Sequence, residues 1–185
     1  MKKLTVAITF IFAFSVFSFS TIVAQGKATY IGAKKCGMCH KKDESGKQLS
    51  IWEGSQHSKA FKTLKTAEAD KIAKEKGFST KAAETPECLK CHATGYNLDA
   101  KMLDKGFNIE DGVQCETCHG AGSEYKTKKI MEDHAASVAN GLTEYKDLKA
   151  VEKQCLTCHN SKSPTFKSFD FAKSWEKIKH SVPKK

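Results

Sequence analysis

The pattern Cys-x-x-Cys-His occurs four times in this 185-residue chain, at Cys36 to His40, Cys88 to His92, Cys115 to His119 and Cys155 to His159. Two thiols separated by two residues match the spacing of the porphyrin vinyl groups. The histidine that follows falls beneath the ring, where it can bind iron, and this is the attachment pattern of c-type haem. The candidate attachment residues are Cys36, Cys39, Cys88, Cys91, Cys115, Cys118, Cys155 and Cys158. The candidate proximal iron ligands are His40, His92, His119 and His159. All eight cysteines lie inside the motifs, which leaves none for a disulfide or a thiol nucleophile. Zinc is the competing chemistry, because paired Cys-x-x-Cys elements also build zinc ribbons. A zinc ribbon has no use for a histidine directly after every pair, so the pattern predicts four covalently bound haem c groups.

Histidine supply then constrains the iron chemistry. The chain has seven histidines; four are proximal, and His57, His134 and His180 remain as candidate distal ligands. Multihaem carriers use two imidazoles per iron, which gives these three residues a role. Three distal histidines cannot serve four irons. One iron is therefore five-coordinate or takes another ligand, and methionine is the usual alternative in cytochromes c. Met102 and Met131 are available. Met38 sits between the cysteines of its own motif, on the wrong side of the ring.

The elements that must hold these ligands read as mainly helical with extensive irregular structure. Residues 60–76 are rich in Ala, Lys, Glu and Leu and stop at Gly77, which predicts a helix. Residues 130–140, ended by Gly141, predict a second, and 145–155 a third that leads into the last motif. Residues 168–180 place Phe169, Phe171, Trp175 and Ile178 on a loosely amphipathic path ended by Pro183. Residues 99–112 contain two glycines and read as an exposed excursion. Nothing reads as a sheet. Hydrophobic residues make up 39% of the chain, and the motifs are spread over most of it with no Pro/Gly/Ser linker between them. The expectation is a single domain, residues 25–185, in which the porphyrins supply most of the apolar core and haem loss abolishes folding.

The N-terminus predicts the compartment. Lys2 and Lys3 precede an apolar run to Val23, and Ala24 offers a small residue before Gln25, so residues 1–24 read as a cleaved export signal. The alternative is an uncleaved anchor, since the run approaches the roughly 20 residues that span a bilayer. Covalent haem attachment belongs outside the bacterial inner membrane, so the expected location is periplasmic. The formal charge is +10, carried entirely by lysine, with no arginine. Removal of Lys2 and Lys3 lowers it to +8, and the haem propionates offset most of the rest. The export signal, the haems and the lack of arginine argue against a nucleic-acid partner. Lysines suit propionate pairing and docking to acidic patches on redox proteins.

The stretches 30–40, 52–61, 88–95, 112–125 and 155–166 carry characteristic words around the motifs, in a characteristic order. On them the chain resembles the cytochrome c554 family of tetrahaem cytochromes over nearly all of its mature length. That resemblance implies three bis-histidine haems and one five-coordinate haem, in agreement with the histidine count. It implies that the haem on His92 is the open one. It also implies that His134 serves the iron of His40, His57 that of His159, and His180 that of His119. Ser163 to Phe166 resembles the segment that lines the open haem, although Ser-Pro also predicts a simple turn.

Electron transfer between periplasmic or membrane-bound redox proteins is the function this reading favours; the family's role in ammonia oxidisers is to accept electrons from hydroxylamine oxidation. The alternative is a reductase of nitric oxide or another small nitrogen oxide, with a diatomic ligand at the haem of His92. No spare histidine remains as proton donor for that chemistry, and Lys90 reads as a solvated lysine. A structural haem subunit of a larger complex is a third reading, which the oligomeric state of the purified protein decides.

Overall fold

The computed structural model describes residues 28–181. Residues 1–24, expected as an export signal, and Pro183 lie outside them. Among the described residues the chain is helical with long irregular connections. Its single β feature is an isolated bridge between Tyr30 and Leu103. No helix among these residues is long and apolar enough to cross a membrane.

Every motif helix is short. Helix α1, Ala33–His40, carries the first motif and packs on α2, Gln48–Gly54. The predicted helix over 60–76 is two helices, α3 (Ala60–Leu64) and α4 (Ala67–Glu75). The break falls where the Thr66 side chain accepts the N–H of Ala69 and restarts the helix as an N-cap. Helix α5, Pro86–His92, carries the second motif and begins with proline in its first turn, where a missing N–H costs nothing. Helix α6, Cys115–His119, is the third motif itself.

The segment predicted as one helix over 130–140 is also divided, into α7 (Lys128–Met131) and α8 (His134–Ala139). Asp133 caps the second piece by accepting the N–H of Ala136. Helix α9, Leu148–Cys155, is capped by Asp147 and delivers the first cysteine of the fourth motif, while α10, Phe171–Ile178, is capped by Asp170.

The segment 99–112 is no exposed excursion. Tyr30 N–H bonds the Met102 carbonyl at 2.8 Å, Asp104 N–H bonds the Tyr30 carbonyl at 2.8 Å, and Phe107 meets the Tyr30 ring edge-on. These contacts tie it to the N-terminal segment, a pairing that local composition does not encode.

The apolar interior is small. Only eight apolar residues are buried among those described, and the one cluster they form joins Leu64, Ala73 and Ala82 with Ala69, Phe78, Ala83, Cys88 and Leu89. Helix α10 buries no residue, although Phe171 and Trp175 stack on one side of it.

Candidate haem sites

A buried polar network fixes the first three motifs relative to one another. Glu116, between the cysteines of the third motif, is 2% exposed. Its carboxylate accepts three backbone N–H groups at 2.8 Å, from Ile31, Gly32 and Gly122. Charge-assisted bonds of this kind are roughly twice as strong as neutral ones and leave no carboxylate oxygen unpaired. Gln114, equally buried, accepts from Ala33 N–H at 2.9 Å and donates to the Asn108 carbonyl. The Gln114 N–H reaches Thr94 just past the second motif, and Thr94 meets Thr117 hydroxyl to hydroxyl. Tyr125 donates to the carbonyls of His119 and Gly120. The fourth motif joins through Gln154, which donates to the Thr117 carbonyl.

This scaffold brings cysteines of different motifs together. Cys36 and Cys115 are neighbours, and their interaction together with burial holds the Cys36 thiol far above its ordinary range. Cys91 and Cys158 are neighbours in the same way; burial first, and Cys158 second, push the Cys91 thiol up to about 11. Cys118 lies close to Cys155 and Cys158. Among the described residues no three His, Cys, Asp or Glu side chains converge as a metal cluster.

The histidines fall into two groups. The rings of His57 and His159 lie with centroids 6.1 Å apart and planes tilted by 51°, and those of His119 and His180 with centroids 5.8 Å apart and planes tilted by 54°. Two imidazoles on opposite sides of one metal, each nitrogen about 2.0 Å from it, place their centroids about 6 Å apart. His57 sits in a 3₁₀ turn, His57–Lys59, that leads into α3. Its carbonyl accepts the Val113 N–H, and Gly112 beneath it adopts φ +77°, where a Cβ would lie 2.5 Å from that carbonyl. Only glycine allows this approach. The His159 ring stacks on Phe169 at 4.6 Å. Burial, reinforced by its neighbours His180 and His40, lowers the His119 pKa to about 4. Burial and then His159 lower that of His57. Both rings are thus held neutral, the form that binds metal.

His92, His40 and His134 belong to the second group, with no aromatic ring against them among the described residues. His92 Nδ1 lies 2.8 Å from the Ala60 carbonyl. That bond fixes the tautomer and leaves Nε2 for a metal. His134, at the start of α8, is exposed, and its Nε2 lies 3.6 Å from Glu144 Oε1. The structure does not bring it against His40. Lys90 is exposed, and Ser163 to Phe166 forms a turn with the Phe166 N–H on the Ser163 carbonyl. Glu116, Gln114 and Phe169 are the site residues that the sequence reading missed. Glu116 stood inside a motif, but two of its three partners lie 84 and 85 positions away.

The residues present suit haem. Each motif presents paired thiols beside a histidine. Two pairs of imidazoles stand at a metal-spanning distance, and the apolar side of α10 has no protein core beneath it. This combination of repeated attachment motifs and a helical fold, without strands among the described residues, defines a multihaem cytochrome domain of the c type.

Residues 35–120 match the family model described as "Cytochrome c554 and c-prime". The cytochrome c-554 of Nitrosomonas europaea is 30% identical over 147 residues, which cover 71% of this chain and 58% of that protein. The chain belongs to the cytochrome c554 family, and with it carries covalently attached haem c. No solved structure matches it significantly.

Proposed function

We propose that this protein is a periplasmic electron carrier with four haem c groups, three bis-histidine and one open, exported by a signal over residues 1–24. The observation that carries the reading is the pair of imidazole gaps, His57 to His159 and His119 to His180. Haem iron supplies a one-electron couple, and the protein supplies position and tuning. Imidazole on both faces keeps substrate away from an iron and limits the rearrangement that accompanies reduction. His134 is the remaining candidate for the iron of His40, and reaching it requires leaving Glu144. No aromatic ring opposes His92 among the described residues, which favours an open iron there over a Met102 or Met131 ligand.

The neighbouring thiols suggest the order of the relay. The first motif adjoins the third through Cys36 and Cys115. The third adjoins the fourth through Cys118 and Cys155, and the fourth adjoins the second through Cys158 and Cys91. On this reading electrons enter and leave at the first and second motifs, from periplasmic or membrane-bound redox proteins that meet the lysine-rich surface. A small diatomic molecule can bind at the iron of His92. Lys90 is exposed to solvent, so the reductase alternative lacks an evident proton donor and ranks second.

Mass spectrometry and low-temperature electron paramagnetic resonance test the assignment together. The expected result is four haems, three low-spin signals and one high-spin signal, with carbon monoxide binding one ferrous iron in four. His57→Ala, His134→Ala and His180→Ala should each convert a different low-spin signal to high spin. Three variants with the parental spectrum would sink the ligand set. If blocking the open iron stops nitrogen-oxide turnover at useful rates, the reductase reading replaces the carrier.

A further inference from the structure

Gln48, the first residue of α2, holds the one buried side-chain oxygen or nitrogen that lacks a hydrogen-bond partner among the described residues, its Oε1. Buried polar atoms are almost always paired, so an orphan acceptor asks for a nearby donor. The other end of the same amide is engaged: Nε2 donates to the Ser181 carbonyl at 3.1 Å. Ser181 directly follows His180, whose ring faces His119.

The seat of that tail is specific. Gly46, two residues before Gln48, has φ +93°, and a Cβ there would lie 2.6 Å from the Ser181 carbonyl and 2.9 Å from Gln48 Nε2. Only a glycine lets the C-terminal segment come down onto this loop. Helix α1 ends at His40 and packs on α2, which begins at Gln48, so the Gln48 amide and the His40 ring are neighbours.

We propose that Gln48 is a two-armed positioning residue: its Oε1 accepts the Nδ1–H of His40 when Nε2 of that ring is on iron, and its Nε2 holds the Ser181 carbonyl, seating His180 opposite His119. A metal-bound histidine regularly donates its outer N–H to such an acceptor, which fixes the ring and raises its basicity. His92 has the Ala60 carbonyl in this role, and His180 Nδ1 lies 3.2 Å from the Ile178 carbonyl. For His40, Gln48 fills it. One amide thus governs the proximal ligand of the first haem and the distal ligand of the third. The two haems adjoin through Cys36 and Cys115, so the residue acts on both members of an electron-exchanging pair. The proposal rests on the ligand assignments above.

Three variants test it in the fully loaded protein, with haem count verified by mass. Gln48→Leu removes both arms. The low-spin signal that His180→Ala abolishes should become partly high-spin, and the signal and potential of the His40 iron should shift. Gln48→Glu keeps an acceptor for His40 but cannot donate to Ser181. It should therefore weaken the His180 signal while lowering the potential of the His40 iron, because an anionic acceptor makes the imidazole more basic. Ser181→Ala should leave every signal unchanged, since the arm grips a backbone carbonyl. Parental signals and potentials in both Gln48 variants would overturn the proposal and leave Gln48 a packing residue. Loss of no low-spin signal in His180→Ala would instead overturn the ligand assignment, a separate result.

Discussion

The segment from Ala60 to His92 and the segment from Cys155 to His180 each hold one attachment motif, but they keep it in place by different means. The first has a protein core: Leu64, Ala73 and Ala82 are buried together, with Cys88 and Leu89 of the motif packed on them. Its histidine is held from behind by the Ala60 carbonyl and meets no second imidazole. The second segment has almost no core. No residue of α10 is buried, and His159 and His180 are placed by rings, against Phe169, His57 and His119. An iron gripped from both sides cross-links its own chain, so that part of the protein can dispense with a core. An iron held from one side needs a rigid wall behind it.

Removing the cofactors should separate the two regions most sharply. In a chain with all eight cysteines changed to serine, hydrogen exchange should show residual protection within 60–92 and none in α10. Equal protection in both would contradict the contrast. Next in size is Glu116→Ala, which strands three buried N–H groups. Thermal unfolding of the loaded protein should report a loss of roughly 3 kcal/mol or more, since each unsatisfied buried group costs about 1–3 kcal/mol.

Leu64→Ala opens a cavity in the core behind His92 and should cost about 2–5 kcal/mol. Its spectral mark should be selective: carbon monoxide affinity at the iron proposed to be open changes, while the signals of the His57–His159 and His119–His180 pairs stay as they were. A change confined to those pairs would reverse the comparison. The smallest effect belongs to Thr66→Ala, which removes the cap that divides α3 from α4. A loss of about 1 kcal/mol in denaturant unfolding is expected, with all four haem signals retained.

The sequence made some of this visible and hid the rest for physical reasons. The candidate attachment residues were plain because thioether chemistry demands adjacency in the chain. His57 and His180 became candidates by counting, since few histidines were left to assign, and the structure sets each beside a motif histidine. The helix breaks at Thr66 and Asp133 were overlooked because a single capping side chain interrupts runs otherwise rich in helix formers. Residues 99–112 were misread because Tyr30, which orders them, lies about 70 residues earlier in the chain and pairs through its backbone. Glu116 and Gln48 were missed for a related reason. Nothing in a glutamate between two cysteines, or a glutamine after a lysine, tells which distant backbone it will hold.

The Glu116 clamp also orders events in time. Its carboxylate closes on Ile31 and Gly32, from 85 and 84 positions further along the chain. As the polypeptide emerges from its N-terminus, Cys36, Cys39 and His40 appear long before the group that locks them down. The first motif therefore lacks this clamp until the third motif has also emerged. Closing so long a loop carries a modest entropic cost that grows only slowly with length. A late-arriving latch of this kind leaves early sites accessible for modification, then makes the finished arrangement hard to undo.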